Sequence, residues 1–172
     1  MTPENYKTLG SFLDSFGTLT LATHGASGPW AATLFFVHDP QLNLYFISGR
    51  NSRHVRDSLT TGRVAATINA DHKEWTAIRG LQISGTIRLL NQDERPAAQG
   101  LYLQKFKDLQ HVISAPSSVA ERKISDNFLA SDFFCIRPLT IRMIDNTKGF
   151  GHTEEFVPGC LPAPDSATCP AG

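Results

Sequence analysis

The chain has no excess charge of either sign, no long apolar run and very little cysteine. Its 172 residues carry 16 Lys+Arg against 16 Asp+Glu, so no global field draws it to nucleic acid or to an anionic membrane. Any anion site must be local. The longest apolar runs are strand-sized and interrupted, too short for a membrane-spanning helix, and Met1-Thr2-Pro3-Glu4-Asn5-Tyr6 lacks the basic region and apolar core of a secretory signal. The expected location is the cytoplasm, with no membrane or nucleic-acid partner. Of the 3 cysteines, Cys135 lies in the run Phe133-Phe134-Cys135-Ile136 and reads as a small buried hydrophobe. Cys160 and Cys169 sit in a proline-rich tail; a bridge would close a short loop, but a reducing cytosol keeps them as thiols. No Cys/His set has zinc spacing, so no metal is expected, and neither a Gly-rich dinucleotide fingerprint nor a P-loop occurs.

What the chain does have is concentrated between Trp30 and Leu59. Two apolar stretches, Trp30–Val37 and Leu42–Ile47, flank His38-Asp39-Pro40-Gln41, and the second runs into Ser48-Gly49-Arg50-Asn51-Ser52-Arg53-His54. This is a hairpin whose exit strand delivers hydroxyls and cations to a helix start. The first N–H groups of a helix are unpaired and its dipole is positive there, so the segment suits a phosphate. The plainer alternative is an N-cap at Asn51 or Ser52 with Arg50, Arg53 and Arg56 as solvated surface.

The length fits one domain with a core that needs no disulfide or metal. Pro3–Phe16 has helical spacing of Tyr6, Leu9, Phe12, Leu13 and Phe16, closed by Gly17. Thr18–Thr23 alternates as a strand, and the cluster His24–Pro29 turns it into the next. A helix over Ser52–Thr61 ends at Gly62, strands follow over Arg63–Asn69 and Leu81–Leu89, and Gly85 in the latter signals a bulge or a close backbone approach. Asp93–Phe106 is helical, with Asn91 or Asp93 as cap; Phe133–Met143 is a last long strand, in which Pro138 favours an edge or a bulge. The links Thr23–Trp30 and Val37–Leu42 are too short for parallel crossovers. The expected fold is mainly β with α, an antiparallel, Greek-key-like β-barrel with helices at its rim, over residues 1–156, followed by a Pro-rich arm at 157–172.

This order of elements resembles the pyridoxamine-5′-phosphate-oxidase-like FMN-binding split barrels, from about residue 5 to residue 145. Within that superfamily, Ile78-Arg79-Gly80-Leu81-Gln82, His111-Val112-Ile113-Ser114-Ala115-Pro116 and, most specifically, Asp145-Asn146-Thr147-Lys148-Gly149-Phe150-Gly151 resemble a YhbP-like branch. The resemblance implies an FMN cofactor lying between the subunits of a homodimer, with electrons passed to a small-molecule substrate. It places Thr33, Leu34, Phe35 and Phe36 along the flavin. It places the phosphate at Ile47, Ser48, Ser52, Arg53 and His54, where relatives have Ser-Arg-Lys and this chain has Ser-Arg-His.

A neutral imidazole offers less charge than an ammonium. Phosphate affinity is thus expected to weaken as pH rises. Gln82 stands in for a cofactor-touching glutamine that relatives carry earlier on the strand, which requires a shift of that strand. The oxidases' C-terminal Trp and Arg motif is absent, so pyridoxamine-phosphate oxidation itself is not expected, and no residue stands out as an acid or base. Trp30 and Trp75 each read as flavin-stacking, subunit-contact or packing residues. Haem and a deazaflavin are the alternative cofactors, and a non-catalytic flavin or metabolite sensor is the alternative function. In the haem reading His152, just beyond the Gly-Phe-Gly, is the candidate iron ligand; His24, His38, His72 and His111 read as solvated.

Overall fold

Period-two alternation of apolar residues builds seven strands, and in this computed structural model, which describes residues 1–159, six of them close on themselves. In chain order the elements are α1 (Pro3–Asp14), β1 (Thr18–Gly25), β2 (Gly28–His38), β3 (Leu44–Ser48), α2 (Arg53–Thr61), β4 (Arg63–Asn69), β5 (Arg79–Leu89), α3 (Arg95–Lys105), α4 (Lys107–Ser114), α5 (Val119–Ala130), β6 (Asp132–Asp145) and β7 (Thr153–Phe156). The sheet order is β3-β2-β1-β4-β5-β6-β7, and a β3–β6 pairing closes the ring. Every pairing is antiparallel.

The long β6 divides its work: its first part, up to Ile136, pairs with β3, and Ile141–Ile144 pairs with β7. Between these parts the β5–β6 register shifts at Ser84/Gly85, with Gly85 opposite Pro138. Both sequence signals thus mark one bulge. A Cβ on Gly85 would lie 2.7 Å from the Arg137 carbonyl oxygen, so the position requires glycine.

The inward residues, among them Leu19, Leu21, Phe36, Phe46, Leu81, Phe134 and Ile136, form one cluster. Helix α1 adds Leu9, Phe12 and Leu13 to it, and α2 adds Val55. The two helices cover opposite ends: Asp14, the last residue of α1, meets His38 at the C-terminal end of β2, whereas Arg53 of α2 meets Ser27 at its N-terminal end. Outside the barrel, α3 and α5 lay Ala98, Tyr102 and Phe128 on Val37, Phe133 and Cys135. Cys135 is buried as expected. The Tyr102 hydroxyl donates to the carbonyl oxygens of Phe35 (2.8 Å) and Tyr45 (3.3 Å), tying the helical layer to β2 and β3. Burial raises its pKa well above that of an ordinary phenol. Tyr102→Phe is expected to lose about 1–2 kcal/mol in urea denaturation, because the Phe35 and Tyr45 carbonyls lose their shared donor; an unchanged midpoint would mean that water replaces the hydroxyl.

Four features differ from the sequence reading. Helices α4 and α5 have no counterpart in the sequence reading; α4 contains no fully buried residue, and its Leu109 and Ile113 pack on the outer layer. Strand β7 is Thr-Glu-Glu-Phe, too short and polar to read as a strand. The residue capping α3 is Glu94, while Asn91 Oδ1 accepts the Glu94 N–H at 2.9 Å. His38 is not solvated: its ring lies 2.9 Å from Asp14 Oδ1 and 3.0 Å from the Asp39 carbonyl oxygen. Cys160 and Cys169 lie outside the described residues, as does most of the arm.

Candidate functional site

Along β3, Leu44 and Phe46 point into the core and Tyr45 and Ile47 point out, so Ser48 emerges at the barrel end on the inward phase. The chain then turns, with Ser52 N–H bonded to the Gly49 carbonyl at 3.0 Å, and Ser52 starts α2. Its side chain does not cap the helix. Instead Ser52 Oγ donates to the Gly49 carbonyl at 2.8 Å and lies 3.0 Å from Ser48 Oγ; His54 Nε2 lies 2.9 Å from Ser48 Oγ and 3.3 Å from Ser52 Oγ. With the Ser52 proton on Gly49, Ser48 must donate to Ser52, and His54 Nε2–H must donate to Ser48. The neutral ring satisfies this chain as the Nε2–H tautomer. Burial pulls the His54 pKa below its ordinary 6.5. Three side-chain donors therefore gather beside helix N–H groups that no side chain caps.

The cations of the segment point elsewhere. Arg53 Nη2 donates to the Ser27 carbonyl at 3.0 Å, its Nε reaches Asp57 Oδ2 at 3.4 Å, and its guanidinium lies 4.5 Å over the Trp30 ring. A Cβ on Gly25 would overlap the Asp57 carboxylate, so the hairpin and α2 meet closely there. Arg50 pairs with Asp132 at 2.6 Å. The structure thus brings Ser48, Ser52 and His54 together and engages Arg53 as a latch on the β1–β2 hairpin. Ile47 packs on the helical layer.

On β2, Phe36 is wholly buried and Leu34 packs against the core, while Thr33 and Phe35 face outward, Phe35 65 % exposed. The register then makes an outer row: Thr33 opposite Thr20, Thr20 opposite Thr67, Thr67 opposite Gln82. Gln82 and Thr33 therefore share one face, three strands apart, about 14 Å at the usual strand spacing. Thr20, Ala22, Ala65, Thr67, Gln82, Ser84 and Thr140 line a shallow hollow on it. Small side chains leave this face open to a flat ligand or a second barrel. Among the described residues no group of three His, Cys, Asp or Glu side chains is placed to hold a metal ion, and no helix is long and apolar enough to cross a membrane.

No family model matches the chain. A UPF0306 protein, YhbP of Salmonella schwarzengrund, is 32% identical over 144 residues, covering 83% of this chain and 86% of its relative. The chain belongs to the UPF0306 family. Among solved structures, a Listeria innocua protein named provisionally as a pyridoxamine 5′-phosphate oxidase superposes with a TM-score of 0.61 at 18% identity, covering 82% of this chain and 98% of that one. HutZ of Vibrio cholerae, named as a haem storage protein, gives 0.55 at 17% identity over 88% and 92% of the two chains. These likenesses establish the split-barrel fold of this UPF0306 chain.

The segment that most specifically suggested the YhbP-like branch, Asp145–Gly151, is a rigid loop beyond β6. Asp145 Oδ1 accepts from the Thr147 N–H (3.1 Å) and hydroxyl (2.5 Å), and Arg79 pairs with the other carboxylate oxygen at 3.3 Å. Asn146 Nδ2 donates to the Trp75 carbonyl at 2.6 Å, its Oδ1 accepts from Gly151 N–H at 3.0 Å, and its own N–H bonds Ile78 O at 2.9 Å. This UPF0306 loop is therefore bolted to the turn before β5. His152 Nε2 lies 2.9 Å from Glu154 Oε1, which also takes Lys148 Nζ at 2.7 Å. Sequence reasoning flagged the loop without finding its role. The two glycines flanking Phe150 were the available signal for an outward turn.

Proposed function

We propose that the chain is an FMN-binding flavoprotein, an oxidoreductase acting on a small molecule as a homodimer with the cofactor between subunits. The observation that carries this reading is the Ser48–Ser52–His54 cluster at the start of α2. A phosphate there replaces the internal hydrogen bonds with its own, drawing on both hydroxyls, the His54 N–H and the uncapped helix N–H groups. When bound, the flavin supplies the hydride chemistry, and the protein supplies position and electrostatics. Thr33 and Gln82 on the outer row are placed to line a ring lying on that face. The same face of small side chains accepts a second barrel. Support for haem comes from neighbours named for it, but His152 is engaged by Glu154. A Soret band on haem addition that is lost in His152→Ala would favour that reading.

Purified protein titrated with FMN is expected to quench flavin fluorescence, and Ser52→Ala is expected to weaken binding about 10-fold through loss of a charge-assisted contact. Absence of any flavin signal, bound or added, would overturn the assignment. The pH response follows from His54. Its folded pKa is depressed below 6.5 by burial, so the unfolded chain takes up the proton first. Its stabilising contribution without ligand is present above 6.5 and is lost as pH falls through the folded value. A bound phosphate favours the imidazolium, so binding takes up a proton and FMN affinity is expected to rise as pH falls. His54→Gln should flatten that dependence relative to wild type, leaving only the titration of the phosphate itself.

A further inference from the structure

The chain has 6 lysines, and Lys7, Lys73, Lys107, Lys123 and Lys148 are all exposed. Lys105, in the last turn of α3, is half-buried. Its Nζ lies 4.1 Å from the centre of the Phe36 ring and donates to the Leu13 carbonyl at 3.2 Å. That carbonyl already accepts the Phe16 N–H at 3.3 Å, and the Ser15 N–H closes on the Phe12 carbonyl at 3.1 Å. The Leu13 carbonyl is thus satisfied without the lysine, and a half-buried amine at this position calls for another reason.

Lys105 lines a cleft of about 460 Å³, a size usual for small-molecule sites. Val37, Pro40 and Leu101 give the cleft apolar walls, and Gln104 adds an amide. It lies at the end of the barrel where Asp14 meets His38, opposite the end held by Arg53. The cleft is therefore separate from the Ser48–Ser52–His54 cluster, and nothing about it depends on the flavin reading.

A lysine is a nucleophile only as the free amine, because the ammonium has no lone pair. Burial draws the Lys105 pKa down to about 8, against the Asp14 carboxylate, which favours the ammonium. Near pH 8 about half of the side chain is then free amine, against roughly one part in 300 for an ordinary lysine. The other charged or titratable groups on the cleft are Asp14 from α1, His38 from β2 and Asp39 just beyond it. Both His38 nitrogens are engaged, by Asp14 Oδ1 and by the Asp39 carbonyl, and the Asp39 carboxylate holds Asn43 and the Tyr45 hydroxyl. Two carboxylates on the rim repel an anionic reactant. The cleft therefore favours a neutral one.

We propose that Lys105 is a nucleophilic lysine whose cleft takes a small neutral aldehyde and holds it as an imine. The Nζ lone pair forms a C–N bond at the carbonyl carbon as the C=O π bond breaks, giving a carbinolamine. The remaining C–O bond then breaks, and both amine hydrogens leave with the oxygen as water. No oxidant or reductant is consumed, and hydrolysis reverses the step. Gln104 has an amide N–H to offer the carbonyl oxygen, and the apolar walls cover the hydrocarbon part.

The test treats the full chain with benzaldehyde and cyanoborohydride, which reduces an imine to a stable secondary amine, and locates the label by peptide mass. At pH 7 Lys105 is expected to label about 100-fold faster than any of the five exposed lysines. Its rate should level off above a pH of about 8, while theirs keeps rising. α-Amino groups ordinarily titrate near 8, so the chain's own α-amino group gauges basicity without a cleft. Labelling of Lys105 should half-saturate at a benzaldehyde concentration about 10-fold lower than labelling there. The anionic 4-carboxybenzaldehyde should label Lys105 about 5-fold more slowly, and Asp14→Asn should speed benzaldehyde labelling at pH 7 about 3-fold, since the carboxylate no longer favours the ammonium. Lys105→Arg, which keeps a cation for the Leu13 carbonyl and the Phe36 ring, should lose this label at an unchanged melting temperature. Labelling of Lys105 no faster than of the exposed lysines would overturn the nucleophile. Saturation no tighter than at the α-amino group would overturn the cleft as a binding site, and equal rates with the two aldehydes would overturn its preference for a neutral one.

Discussion

Phe46→Ala is expected to lower the unfolding free energy by about 3–5 kcal/mol, the usual cost of removing a buried aromatic ring from a core. Phe46 is fully buried and stacks on Phe134 with centroids 5.2 Å apart and planes 19° from parallel. It also sits on the short strand that closes the barrel, opposite Phe36 on β2 and Phe134 on β6. With only five residues in β3, few neighbouring contacts can make good the loss. Domains of this kind have about 5–15 kcal/mol in total, so the change consumes a large share. Urea denaturation reads it as a lower midpoint at unchanged slope. The site should respond too, because the Phe46 ring lies 6.3 Å from the His54 ring and forms part of its buried surroundings. A loss below about 1 kcal/mol would mean that the neighbours collapse into the space.

Gly85→Val is the second large effect, expected at about 2–3 kcal/mol, the scale of overpacking in a well-filled interior. The first added carbon would lie 2.7 Å from the Arg137 carbonyl oxygen and 3.0 Å from Ile136 Cγ2. The nearer atom is backbone in a paired strand, so it cannot rotate away. A thermal midpoint lower by about 4–12 °C is expected, at 2–4 °C per kcal/mol for a chain of this size. Gly100→Ala is the matched control: nothing lies within 4 Å of a Cβ there, in the middle of α3. It should be neutral or stabilising by about 0.5–1 kcal/mol, since alanine restricts the unfolded chain. Equal effects at the two positions would remove the close-approach argument for Gly85.

The barrel was legible because its strands alternate, and alternation is a local signal; β4 over Arg63–Asn69 matches the reading residue for residue. Gly85 and Pro138 each announced an irregularity, but only the register shows them to be one bulge. The outer helices were harder to read because α4 contains no fully buried residue and α5 buries only Ser125 and Phe128, although Leu109, Val112 and Ile113 of α4 do recur at helical spacing. In the candidate site, the clustering of Ser48, Ser52 and His54 followed from a strand running into a helix start. The direction of Arg53 did not, because its partners, the Ser27 and Gly28 carbonyls, are 25 or more positions away. Phe36 lies inward by simple alternation, leaving Thr33 and Phe35 as the outward residues of that strand. Phe150 was hidden for another reason. Its exposure depends on backbone angles at Gly149 and Gly151 that composition suggests but does not fix.

Strand β7 ends the sheet, so its outer edge has no strand partner among the described residues. An unpaired edge is a template on which another molecule can add a strand, the first step toward polymeric sheets. Here the edge is only four residues long and contains Glu154 and Glu155, with Glu154 fixed by Lys148 and His152. A second copy adding in antiparallel fashion would bring carboxylates against carboxylates. The short acidic edge thus disfavours strand addition by a second copy at the rim of the sheet.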